Sequence, residues 1–233
     1  MNSFLDSILP DRAGVLDVRA YSFRIGMRIS TWMDIKPPPS RIFTDWGVTF
    51  LVVVILWIEF LLWGGALEYR RALLLPEPWR LFTGHFTHLS LLHAMVNCVA
   101  LVLLTKLFAG WMRPWEQWTV ILGAPWIISL VFWIAMPGLI WYRGLSGDLH
   151  ALYFAGCVLW LTQTGGRERW LPIAAIAGGA IKVLIEQPWN ETYPWLAWLG
   201  APVVPQAHLI GALAGAAAGL WLAARRQQQA QQS

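Results

Sequence analysis

Six stretches of the chain are apolar over most of their length, roughly residues 46–65, 89–109, 116–136, 146–162, 170–187 and 207–224. A helix needs about 20 apolar residues to cross the hydrocarbon core of a bilayer. The pattern therefore predicts an all-α membrane protein, a bundle of six transmembrane helices, and no repeat relates the six to one another. Ahead of the first span, Phe23, Ile25, Met27 and Ile29 alternate with Arg24, Gly26, Arg28 and Ser30. A period of two suggests a short strand or an interfacial segment, and Pro37, Pro38 and Pro39 end it. Residues 1–45 hold no uninterrupted apolar core of the kind a cleavable signal needs. The expected organisation is an N-terminal segment (1–45), a membrane domain (46–224) and a polar tail (225–233).

Composition agrees with a membrane setting. Hydrophobic residues make up 57% of the chain and charged residues only 13%, against about 25% charged in soluble domains. The 17 tryptophans suit the lipid–water interface, where indole is enriched. Cys98 and Cys157 lie inside apolar runs and read as free buried thiols, Cys98 as a small apolar filler. The net charge of +4 is better explained by cations kept on the cytoplasmic side than by a nucleic-acid partner. With six spans, twelve Lys/Arg fall on the side of both termini and four on the other, Lys182 lying inside span five. That imbalance puts the N-terminal segment and the polar tail in the cytoplasm.

Polar residues inside the spans carry the functional signal, because a bilayer tolerates them mainly where they face a bundle interior or cavity. All five histidines, 85, 88, 93, 150 and 208, fall near the outer ends of spans two, four and six. His93 and Asn97 are one helical turn apart. Ser146 opens span four and His208 lies at a comparable depth in span six, so three helices bring these four residues to one level. Gly211, Gly215 and Gly219 recur every four residues and make a groove for close helix approach; Gly147, Ala151 and Gly156 suit the facing helix. Gly144 and Gly147 leave room for backbone beside the serine. A serine hydroxyl becomes a nucleophile when an imidazole takes its proton, which His208 can do. The oxyanion that follows needs aimed donors, and His93, Asn97 and the Ser146 backbone N–H are the candidates. No third carboxylate stands out, so a dyad is expected.

Other readings of the same residues stay open. Ser146 suits a helix N-cap, and His93 and Asn97 suit helix-packing hydrogen bonds. His88, five residues before His93, reads as structural, and so does His85. Asp148 suits the positive end of span four, or else it or His150 tunes and orients His208. Lys182 and Glu186 are spaced for a salt bridge within one helix, or serve a gate or substrate recognition. Glu59 is expected to face the bundle or lie near the outer end of span one. His85, His88 and His93 match no standard zinc spacing, so no metal or other cofactor is expected. Paired interrupted helices of the transporter type are not seen.

Taken together, HLSLLHAMVN (88–97), GLSG (144–147) and AHLIGALAG (207–215) resemble the second-, fourth- and sixth-helix motifs of rhomboid intramembrane serine proteases. Trp79-Arg80 is similar to the tryptophan–arginine pair of the rhomboid first loop, a structural element. GLSGDLHAL and the Lys182…Glu186-Gln187 element resemble the rhombosortase branch. The resemblance implies a Ser146–His208 dyad in a bacterial inner-membrane protein whose active site opens to the periplasmic side. It implies membrane-anchored substrates with a C-terminal transmembrane segment and a Gly-Gly-type sorting signal, cut near the outer face. Many rhomboids carry tyrosine, stacked on the catalytic histidine, where this chain has His150. A generic rhomboid protease with other substrates, or a non-catalytic relative that binds client helices, are the alternatives.

Overall fold

The computed structural model describes residues 47–57, 65–187 and 203–232. The period-two segment of residues 1–45, Glu59 and much of the link between the fifth and sixth apolar runs lie outside the described residues. Six helices organise what is described: α1 (Gly47–Trp57), α2 (Leu91–Leu107), α3 (Pro114–Ala135), α4 (Ser146–Gln163), α5 (Trp170–Ile185) and α6 (Pro205–Gln232). Three of these regions are long and apolar enough to cross a membrane: Leu91–Gly110, Pro114–Ala135 and Pro205–Gln232. Helix α5 has 16 residues, and α4 carries Asp148 and His150 in its first turns.

Local chemistry sets several helix ends. Ser90 caps α2, its hydroxyl accepting the His93 N–H at 3.1 Å. Pro114 opens α3 where a helix can spare an N–H, and the Glu116 carboxylate accepts the Arg113 N–H at 2.6 Å. At the far end of α3, the Arg71 guanidinium donates to the carbonyls of Phe132, Trp133 and Met136. A cation there answers the unpaired carbonyls and the negative end of the helix.

The centre of the bundle is α4, and its partner is α6. A Cβ added to Gly211 would lie 2.0 Å from the Gly147 carbonyl oxygen, and one added to Gly215 would lie 2.1 Å from that of Ala151. The backbones of the two helices are therefore in direct contact, which only glycine permits. Elsewhere on α4, Gly156 presses on the Phe108 ring. Away from this seam, Leu91, Val99 and Leu103 of α2, Trp126 and Ile134 of α3, and Leu213 and Leu220 of α6 stand exposed. Such a continuous apolar exterior belongs against lipid rather than water.

A small cap closes the end of the bundle where α4 begins. Strand β1 (Tyr69–Arg70) pairs antiparallel with β2 (Trp141–Tyr142), Tyr69 opposite Tyr142. A single helical turn, Arg80–Thr83, lies beside it. The Arg80 side chain is buried, donating to the Glu68 carbonyl at 2.9 Å and to the Glu77 carboxylate at 2.5 Å. Neighbouring Trp79 is half exposed. Arg70 and Arg143 both pair with the Glu68 carboxylate.

The seam makes a sharp prediction. Gly215→Val pushes α6 off α4 and lowers stability by about 1–3 kcal/mol or more. Gly123→Ala, inside α3, whose new methyl would meet nothing within 4 Å among the described residues, keeps stability or raises it by up to about 1 kcal/mol. Thermal unfolding in detergent, compared for the two variants, checks this.

Candidate active site

Residues 143–145 connect the cap to α4. Gly144 has φ +128°, a backbone region that side-chain-bearing residues avoid, and a Cβ there would lie 3.0 Å from His93 Cε1. Its N–H donates to the Gly84 carbonyl at 3.2 Å, and its carbonyl accepts the Tyr142 hydroxyl at 2.5 Å. Burial raises the Tyr142 phenol above its ordinary range, which keeps it a donor. The turn before α4 is thus fixed on three sides, by strand, loop and the His93 ring.

Ser146 is the first residue of α4, with Leu145 at the N-cap position, so the serine hydroxyl is free of cap duty. It lies 2.9 Å from His208 Nε2, from the first turn of α6. The other ring nitrogen, His208 Nδ1, lies 2.9 Å from Glu186 Oε2, at the C-cap of α5. The expectation that no carboxylate accompanies the serine–histidine pair therefore fails. The end of the fifth apolar run falls at the level expected for Ser146, which was the available clue. Yet Lys182 four residues earlier gave Glu186 a sufficient partner, and that pairing hid the longer-range one.

Both readings of Lys182 and Glu186 have to accommodate this geometry. Lys182 Nζ donates to Glu186 Oε1 at 2.9 Å and Oε2 at 2.8 Å, and to His150 Nε2 at 3.1 Å. His150 Nδ1 donates to the Ser146 carbonyl at 2.7 Å. The His150 ring lies flat on His208, with centroids 4.2 Å apart and planes 17° apart. His150, Glu186 and His208 have ligating atoms within 4.8 Å of one another, a spacing a metal ion can use. Here those atoms face one another or the Lys182 ammonium, so the cluster satisfies itself.

These side chains open on a cavity of about 540 Å³. Its walls include His93 and Asn97 of α2, Leu149 of α4, Gly178 and Gly179 of α5, and Val203. His93 and Asn97 are buried, and Asn97 Nδ2 has no hydrogen-bond partner among the described residues. His88 lies ahead of α2, which begins at Leu91, so helical spacing does not separate it from His93. Its buried ring instead meets His93 edge to face at 5.0 Å.

Asp148 turns away from this cavity. Its Oδ2 lies 2.7 Å from His85 Nδ1, and His85 Nε2 lies 2.9 Å from Ser129 Oγ. By distance alone this is a second serine–histidine–carboxylate set. All three side chains are sealed, with Ser129 and His85 fully buried and Asp148 2% exposed. A nucleophile without access has no substrate, so this network ties α3 and α4 to the loop before α2. It gives Asp148 a helix-start position with a structural partner, and no contact with His208 joins it to the tuning alternative.

The Rhomboid domain model matches residues 75–225, well over half of the chain. No curated protein matches it.

The two serines separate cleanly in a labelling experiment. A fluorophosphonate, which captures activated serine hydroxyls, is expected to label the wild type and Ser129→Ala alike. Ser146→Ala should abolish labelling, read by gel fluorescence or intact mass.

Proposed function

The chain belongs to the rhomboid family of intramembrane serine proteases, and we propose that it cleaves peptide bonds with Ser146 as nucleophile and His208 as general base, then acid. The observation that best supports this is the 2.9 Å approach of Ser146 Oγ to His208 Nε2 beside a cavity of about 540 Å³. In the proposed reaction the Ser146 hydroxyl attacks the scissile carbonyl while its proton passes to Nε2. His93, Asn97 and the Ser146 N–H stabilise the oxyanion. Asn97 Nδ2 is a buried donor with no partner among the described residues, and beside the cavity it can donate to an acceptor that forms during reaction. His208 then returns the proton to the leaving amine.

The substrates are membrane proteins, and their scissile segment must leave the helical state, because a helix holds its carbonyls in internal hydrogen bonds. Glycine lowers the cost of that unwinding. The rhombosortase-like elements GLSGDLHAL and Lys182…Glu186-Gln187 support a C-terminally anchored substrate with a Gly-Gly-type signal. The stacking of His150 on His208 supports the same branch, since histidine there takes the place of the usual tyrosine. With six spans, twelve-to-four Lys/Arg asymmetry supports cytoplasmic termini. The site then opens to the periplasmic face of a bacterial inner membrane, residues 46–224 forming the protease domain between a cytoplasmic or interfacial segment and a cytoplasmic tail.

Purified wild type, Ser146→Ala and His208→Ala, compared in liposomes on a substrate with a C-terminal Gly-Gly anchor, test the reading. Both variants should lose about 10³-fold or more in rate; equal cleavage by wild type and Ser146→Ala overturns it. Equal turnover of a generic rhomboid substrate assigns the enzyme to another substrate class. Asn97→Ala should lower kcat by about 10²-fold with little change in KM.

A further inference from the structure

The geometry points to Glu186 as a positioning residue for His208, making the proposed dyad a Ser146–His208–Glu186 triad whose carboxylate is held by Lys182. This rests on the protease reading above and adds to it a third group. Three observations carry it.

The first is the direction of the hydrogen bonds. A carboxylate paired with an ammonium can only accept, so His208 Nδ1, 2.9 Å from Glu186 Oε2, carries the ring proton. Nε2 is then left as the acceptor facing Ser146 Oγ, the tautomer a general base needs. Lys182 Nζ has three protons and three acceptors within 3.1 Å, both Glu186 oxygens and His150 Nε2. His150 in turn donates through Nδ1 to the Ser146 carbonyl. Every bond in the chain runs one way, and no member has to be protonated differently to satisfy its neighbour.

The second is where Glu186 sits. A carboxylate at a helix C-terminus faces the negative end of the dipole and gains nothing from the helix. Lys182 offsets that cost, yet the Glu186 side chain is only 3% exposed while that of Lys182 is 50% exposed. A pair that served only the helix surface would leave both ends in the open. This one is turned so that its acid end meets His208.

The third is how the position is fixed. Gln187 Nε2 donates to the Val183 carbonyl at 2.9 Å and to the Pro205 carbonyl at 3.1 Å. The residue after Glu186 thereby ties the end of α5 to the start of α6, three residues before His208. When His208 takes the serine proton, the imidazolium lies between the carboxylate and the His150 ring face. Glu186 then stabilises the positive charge without accepting the proton.

The test uses the full-length enzyme in liposomes with the Gly-Gly-anchored substrate, together with fluorophosphonate labelling of Ser146. In Glu186→Gln, Lys182 claims the amide oxygen, so the amide N–H faces Nδ1 and drives the ring to the wrong tautomer. We expect kcat and the labelling rate to fall by about 10²-fold or more, with KM within threefold and the thermal midpoint near wild type. Lys182→Gln, at an exposed position, should fall about tenfold in kcat. In ¹⁵N-histidine spectra of the wild type, the His208 proton should reside on Nδ1. Glu186→Gln within threefold of wild type in both rates overturns the proposal, while a dead Ser146→Ala still upholds the protease itself. If Glu186→Gln does not fold, the spectrum decides, and a His208 proton on Nε2 overturns it. A Ser146→Ala variant as active as wild type sinks both readings.

Discussion

The distance between Ser146 and His208 is set by the backbone contact of α4 with α6. Gly147 follows Ser146 directly, Gly211 is three residues after His208, and these two glycines meet with no room for a single Cβ. In lipid there is little hydrophobic drive to press helices together, so close packing and interhelical hydrogen bonds must hold them. The glycine seam supplies the first at Gly211 and Gly215, and the Ser146–His208 bond sits at its end. A wider seam would move the imidazole away from the hydroxyl by about the same amount, and proton transfer needs heavy-atom contact near 3 Å. The same rows of small residues that let the helices dock therefore define the geometry of the proposed dyad.

The cap at the mouth acts on the other side of the serine. Arg71 anchors β1 to the end of α3, the β1–β2 pair holds Tyr142, and Tyr142 holds the Gly144 carbonyl. Gly144, with its positive φ, lies against His93. A movement of the cap would pass through this sequence of contacts to the edge of the proposed oxyanion site. Glu68 gathers Arg70, Arg143 and, through its carbonyl, Arg80, which explains why charged residues cluster in a loop of an otherwise apolar chain.

Much of this was legible in the chain itself. The helices α2, α3 and α6 follow from apolar length, and the level shared by His93, Asn97, Ser146 and His208 follows from where each stands in its run. The four-residue glycine period signals the contact with α4. Less legible were features that arise when three elements converge. Glu186 on His208 needs α5, α6 and α4 to meet at one corner, and a local partner at Lys182 already accounted for it. The sealed His85–Asp148–Ser129 set joins a loop and two helices, and nothing in the spacing of 85, 129 and 148 reports their contact. For His88, a spacing of five residues from His93 carries no helical meaning, because α2 begins only at Leu91 and the ring approaches His93 from the loop before it. The strand pair of β1 and β2, two residues long on each side, is too short to leave a periodic trace.

The two serine–histidine–carboxylate sets also show what distance leaves undecided. Each has imidazole nitrogens within 2.9 Å of a serine oxygen and a carboxylate oxygen. Around Ser129 the set is closed, with no open space for an incoming carbonyl. Around Ser146 hydrogen bonds join Glu186, Lys182 and His150, yet the opposite side faces the cavity, where Asn97 Nδ2 has no partner among the described residues. In the proposed reaction Asn97 Nδ2 meets the carbonyl oxygen as it becomes an anion, an interaction that favours the transition state over the ground state. Asp148 Oδ1 in the sealed set also finds no partner among the described residues, so open space beside Ser146, rather than completeness of the hydrogen bonds, is what separates the two sets.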